Sequence, residues 1–137
     1  MANTLKLEIV TPEAVVYSEE VDLVVLPGAE GELGIYPMHV PLMTQIVPGE
    51  VAVHKGGQQA LLAVGEGFVE ITPHRVSILT DMAVKADGID EAAVEEARRK
   101  AEARRKEKLS GEEDARVEAA LARTAAQLKV KRHKRSS

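Results

Sequence analysis

All six prolines, all three aromatic residues and eight of the ten glycines precede Gly88. Beyond it the chain runs mainly in Ala, Glu, Arg and Lys. Proline and glycine punctuate strands and turns and are costly inside helices. So complete a division dictates two structural units, residues 1–86 and 87–137. Charge divides at the same place. Residues 1–86 carry eleven acids and four bases, residues 87–137 eleven acids and fourteen bases, so a net charge of -4 conceals an acidic body and a basic end.

The first unit reads as β-structure. In Leu5–Val10 the apolar Leu5, Leu7 and Ile9 alternate with Lys6 and Glu8, the period of a half-buried strand. Glu20–Gly28 reads as a second strand, stopped at Pro27-Gly28. From Glu50 the punctuation is regular. "VAVHK" meets Gly56-Gly57, "QQALLAV" meets Gly65-Glu66-Gly67, "FVEI" meets Thr72-Pro73-His74, and "RVSILTD" closes the unit. Short strands on tight turns predict an antiparallel β-sandwich or barrel. With three aromatics, its core must be Val, Leu and Ile. The stretch Glu30–Leu42 holds two glycines, two prolines and a lone histidine, and reads as a turn-rich loop.

The second unit reads as an antiparallel two-helix hairpin, making the chain an α+β protein. Asp87 or Asp90 is placed to cap the first helix, with Glu95/Arg99, Glu96/Lys100 and Glu102/Lys106 at i,i+4 spacing. Ser110 and Glu113 form a capping box opening a second helix to about Lys131. On the first helix Ile89, Ala93, Ala97 and Ala101 form a short apolar stripe. The second helix has two faces: Val117, Leu121, Ala125, Leu128, and opposite them Ala119, Ala122, Ala126, Val130. Burying a leucine stabilises by about 1.5–3 kcal/mol, and a methyl group by about 0.8 kcal/mol. An alanine-built hairpin should therefore dock weakly, and two usable faces suit two different partners. Close helix packing by small residues accounts for the alanines equally well.

Chemistry is hard to find. Cysteine is absent, which removes disulfides and thiolate sites. His39, His54, His74 and His133 are scattered, with no metal-binding spacing, so no metal is expected. Phosphate-loop and nucleophile-elbow motifs are missing, and no catalytic residue is assigned. The tail "KVKRHKRSS" is basic, but the body is acidic and no aromatic accompanies the bases, which argues against nucleic acid. No apolar run reaches the ~18 residues of a membrane span, and "MANTLKLEIV" lacks a signal pattern, so a mature soluble chain is expected.

"GELGIYPMHVPL" followed by "PGE", then "GEGFVEITPHRVSIL" and the helix opening "IDEAAVEEARRKAE", resemble the epsilon subunit of bacterial F-type ATP synthase over nearly the whole chain. The resemblance implies a ten-stranded sandwich at the foot of the rotor, joining the gamma subunit to the c-subunit ring. The subunit would be non-catalytic, coupling proton translocation to ATP synthesis. It implies a peripheral location on the cytoplasmic face of a bacterial plasma membrane. Glu30, Gly31, Glu32, Leu33 and His39 match the part facing the ring, and Thr44 and Gln45 a segment facing gamma. The family's hairpin can extend along gamma and restrain hydrolysis. Arg98, Arg99, Lys100, Arg104, Arg105 and Lys108 would then touch the catalytic beta and alpha subunits transiently. Some members bind ATP through Ile/Leu-Asp-x-x-Arg-Ala. Here Ile89 and Asp90 are present, but Ala93 and Val94 replace the Arg-Ala pair, so no ATP and no cofactor is expected. The rival reading is a ligand-binding β-sandwich with a helical interaction hairpin. It needs an exposed aromatic platform, and only Tyr17, Tyr36 and Phe68 could supply one.

Overall fold

A computed structural model describes residues 3–107 and 109–136. Ten strands come first: β1 Leu5–Val10, β2 Val15–Val21, β3 Leu23–Gly28, β4 Gly31–Ile35, β5 Leu42–Ile46, β6 Gly49–Lys55, β7 Gln58–Val64, β8 Gly67–Thr72, β9 Arg75–Thr80 and β10 Ala83–Lys85. A 3-10 turn at Ala86–Gly88 leads into α1, Glu91–Arg105, and then α2, Gly111–Ser136. The strands run in the order β10-β7-β6-β3-β5-β8-β9-β1-β2, with β4 on β3. β3 and β5 share only the pair Gly28–Ile46, and there the sheet folds over. The halves β10-β7-β6-β3-β4 and β5-β8-β9-β1-β2 enclose a core that includes Leu7, Ile9, Val24, Leu26, Leu62 and Ile78, all fully buried.

The strand pairs are antiparallel except one. β1 lies parallel to β9, from Lys6–Arg75 to Val10–Leu79. The first strand closes the second half beside a strand distant in sequence, so no hairpin turn dictates its direction. The expected strand over Glu20–Gly28 is cut at Asp22, which forms a corner. Its N–H donates to the His54 carbonyl at 2.8 Å, and its carboxylate accepts from the Gly56 N–H at 2.9 Å. The expected loop Glu30–Leu42 contains β4, a short edge strand whose two glycines weaken the alternating signal. The β6–β7 turn falls at Gly56-Gly57 as read. Both have positive φ, 57° and 79°, as a two-residue hairpin turn requires.

β6 and β7 are buried on both faces. Val51, Val53, Leu62 and Val64 point into the sandwich, while Ala52, Leu61 and Ala63 point outward into a second, smaller core. That second core is completed by the helical unit. Ala86, Ile89, Val94, Leu128 and Val130 pack onto the outer face of these two strands. α2 lies directly on β6 and β7, and α1 rides on α2. Leu128 and Val130, which the sequence assigns to opposite faces of α2, therefore share one core, and Ala125 is exposed.

The helix caps follow the sequence more closely than the helix faces do. Asp90 accepts from the Ala93 N–H at 3.1 Å, while Asp87 falls in the 3-10 turn. Ser110 Oγ accepts from the Glu113 N–H at 3.2 Å and donates to its carboxylate at 3.1 Å. On α1, however, Val94 and Ala101 are buried, and Ala93 and Ala97 are exposed. The helix turns its one large apolar side chain inward. The expected i,i+4 pairs are replaced by a different set. Arg98 is held between Glu95 at 2.9 Å and Glu102 at 3.1 Å, and Arg99 pairs with Glu96. A forked guanidinium reaches carboxylates on both neighbouring turns, which a single-direction spacing rule does not anticipate. α2 also continues beyond Lys131, where Arg132, His133 and Arg135 meet Glu95, Glu50 and Glu91.

Candidate functional site

The outer face of β5-β8-β9-β1-β2 is uncovered, and its side chains are unusual for a solvated sheet face. The register sets Gln45 beside Phe68, Phe68 beside Leu79, Leu79 beside Val10, and Val10 beside Val15. Phe68 is 53% exposed, Leu79 56% and Val15 59%. In the neighbouring row Met43 is exposed beside Glu70. A half-solvated antiparallel sheet normally turns polar residues outward. A contiguous apolar row open to water marks a surface that another macromolecule covers. The sequence points to Phe68 only as a candidate for the aromatic platform of the rival reading, and leaves Leu79 unmarked. The signal was present, because alternation in "GFVEIT" puts Phe68 with Glu70 and against Val69 and Ile71.

The stretch from Glu30 to Leu42 runs the height of the sandwich and links two different ends. At one end is the turn Ala29-Glu30, where the Ala29 N–H donates to the Gln45 carbonyl at 3.0 Å. Gly31, at φ 130°, completes this turn in a conformation that disfavours any Cβ. Glu30 and Glu32 are exposed here, and Leu33 leans toward the core. At the other end, Tyr36–Pro41 connects β4 to β5 and is tied to the β8–β9 turn. The Met38 N–H donates to the Pro73 carbonyl at 2.7 Å. His39 is half-buried, and its Nδ1–H donates to the Val40 carbonyl at 2.6 Å. A five-residue strand separates these ends by about 13 Å. The residues Glu30, Gly31, Glu32 and Leu33 therefore sit together, and His39 does not sit with them. Thr44 is half-buried with Val69 opposite, whereas Gln45 is exposed beside Phe68 and joined through its carbonyl to the Ala29-Glu30 turn. Along the same stretch Ile35 is buried in the core, and Tyr36 and Leu42 are exposed.

Most of the α1 cations are engaged within the hairpin. Arg104 pairs with Glu113 at 3.0 Å and Arg105 with Glu118 at 2.8 Å, both across to α2. Lys100 lines the groove between the helices, and Lys108 lies outside the described residues. Glu95 is a clasp: it accepts from Arg98 on its own helix and from Arg132 on α2 at 3.1 Å. Those bonds, the Arg98 hydrogen bond first, hold its carboxyl below the usual carboxylate range, and Glu95 in turn raises Arg98. On the sandwich, hydrogen bonding to Lys55 lowers Glu19 in the same way, and burial raises Tyr17.

Ile89 and Asp90 border a cleft with Ala93, Val94, Arg123 and Gln127. Each already has a structural task, Ile89 buried in the second core and Asp90 capping α1. Arg123, the cation at this cleft, sits 4.0 Å from Asp81. Among the described residues, no three His, Cys, Asp or Glu side chains converge as a metal site would require. No described helix is long and apolar enough to cross a membrane.

A β-sandwich with an uncovered apolar face and a helical hairpin laid on its other side defines a docking subunit. Residues 4–86 match the family model of the ATP synthase delta/epsilon chain, β-sandwich domain. The chain is 46% identical over 132 residues to an ATP synthase epsilon chain from Herpetosiphon aurantiacus, covering 96% of this chain and 97% of that one. It is 47% identical over 121 residues to one from Desulforamulus reducens, covering 88% and 92%. Its fold is similar to a chain in the Euglena gracilis mitochondrial ATP synthase OSCP/F1/c-ring structure, with a TM-score of 0.78 at 23% identity over 92% of this chain and 79% of that one. The chain belongs to the ATP synthase epsilon chain family.

Proposed function

We propose that this chain is a non-catalytic subunit of the rotating central stalk of an ATP synthase. It joins a gamma-type shaft subunit to the c-subunit ring and couples proton flow to ATP synthesis. The observation that carries this reading is the uncovered apolar row through Phe68 and Leu79, in a chain of this family. The shaft subunit covers that row together with Gln45 and the end bearing His39. The polar turn Glu30–Leu33, at the end of the sandwich away from His39 and close to Gln45, meets the ring. The complex holds the chain at the cytoplasmic face of a bacterial membrane as a peripheral subunit. In the form seen here the hairpin lies on the sandwich. Released, it extends along the shaft and presents Arg98, Arg99, Lys100, Arg104, Arg105 and Lys108 to the catalytic subunits. The hairpin holds no ATP, because Ile89 and Asp90 are committed to packing and capping and Ala93 offers no phosphate ligand.

Phe68→Gln tests the docking face. It should leave the melting temperature unchanged and weaken binding to the gamma subunit at least tenfold, since an aromatic anchor is worth upward of ~1.4 kcal/mol. Unchanged affinity would place the shaft contact elsewhere. Glu32→Lys should weaken proton pumping driven by ATP more than it weakens gamma binding. Equal pumping would remove the turn from the ring contact.

A further inference from the structure

Met38 is the one described non-glycine residue with positive φ, at 69°. For an L-residue this backbone crowds Cβ against the following carbonyl oxygen, whereas glycine adopts it freely. The main chain is firmly held there. Pro37 locks the preceding φ, the Met38 N–H is bonded to the Pro73 carbonyl, and the His39 ring is bonded to the Val40 carbonyl. None of these restraints uses the methionine side chain, which is 63% exposed. A strained backbone is thus maintained around a side chain that the fold itself does not need.

The neighbours at i−2 and i+2 indicate its use. Tyr36 is 65% exposed and Val40 71%. Three large apolar side chains stand along one stiff segment, which leads directly into Met43 and the apolar row of β5 and β8. The surroundings do not suit an anionic lipid surface. No Lys or Arg occurs between Lys6 and Lys55, and Arg75, just past the β8–β9 turn, is paired with Glu8.

We propose that Met38 is an anchor of the sandwich on the gamma-type shaft subunit, its left-handed backbone aiming a flexible thioether into an apolar recess of that partner. Methionine suits such a contact because its unbranched, polarisable side chain adapts to an irregular recess. This inference rests on the shaft-docking reading above and adds a residue to it.

The test uses the full chain with Met38→Gly, Met38→Asn and Met38→Leu. The melting temperature of each isolated chain is measured, and each is titrated against the gamma subunit. Met38→Gly and Met38→Asn, both at ease with positive φ, should raise the melting temperature by about 2–4 °C. The same two variants should weaken gamma binding about tenfold. Met38→Leu should match the parent in melting and bind within about threefold of it. Equal gamma affinity for Met38→Gly and the parent overturns the proposal while leaving the shaft-docking reading intact. So does a parent that dimerises through this ridge, with Met38→Gly abolishing only the dimer. Failure of the parent itself to bind gamma overturns both.

Discussion

The two apolar cores of this molecule are built from different materials. Inside the sandwich, leucine, isoleucine and valine from both half-sheets are almost completely buried. Between sandwich and hairpin, the sheet contributes Ala52, Leu61 and Ala63, and the helical unit contributes Ala86, Ile89, Val94, Leu128 and Val130. Each fully buried leucine or isoleucine stabilises by about 1.5–3 kcal/mol, so the first core far outweighs the second. The polar contacts of α2 with the sandwich include His133 Nδ1 at 2.8 Å from a Glu50 carboxylate oxygen and Arg123 at 4.0 Å from Asp81, whereas Arg132–Glu95 and Arg135–Glu91 join α2 to α1. Such pairs contribute little and weaken with salt. The difference in side-chain size between the two cores supports the proposal of a permanent sandwich and a detachable hairpin.

Matched substitutions should expose this contrast. Leu7→Ala, in the first core, should destabilise the whole sandwich by about 2–5 kcal/mol, seen as a lowered urea midpoint for β-type circular dichroism. Leu128→Ala removes the same atoms from the second core. It should leave that midpoint nearly unchanged and speed amide exchange in α2 by at least tenfold. A lowered sandwich midpoint would mean that the two cores melt as one.

Cutting the chain after Ala86 uncovers Leu61 and the partly buried Val25, Met82 and Val84 but leaves the inner core untouched, so the sandwich should stay folded and bind gamma. If the hairpin restrains rotation, the gamma-containing catalytic complex should hydrolyse ATP faster with the cut chain than with the full one. Equal rates would make the hairpin purely structural. The smallest effect concerns pH. Glu95 is held below the usual range by Arg98 and Arg132, so its clasp is complete above the ordinary glutamate pKa of about 4.3. It is lost as pH falls through the depressed value. Exchange in α1 should quicken as pH drops below that range, after correction for intrinsic exchange, and Glu95→Gln should flatten the response.

Much of this architecture could be read directly from residue order. The alternation in β1, the glycine turn at Gly56-Gly57 and the caps at Asp90 and Ser110 are local, and local chemistry determines them. What escaped reading depends on tertiary neighbours. β4 and β5 lack clean alternation, because β4 is an edge strand with two glycines and β5 turns Met43 outward beneath an uncovered face. The parallel β1–β9 pair unites residues about seventy positions apart, and no spacing rule reports it. The split between Glu30–Leu33 and His39 is a matter of strand rise. Ten residues look like one motif on paper but reach from one end of the sandwich to the other.

Hydrogen exchange on the intact chain, read segment by segment, tests the central claim most directly. The α1 and α2 amides should exchange through openings that leave β1, β8 and β9 protected, with the helical segment fully exchanged while those strands still hold their protons. Exchange of helices and strands in a single cooperative step, at one common rate, would contradict the claim that the hairpin is a detachable part on a permanent sandwich.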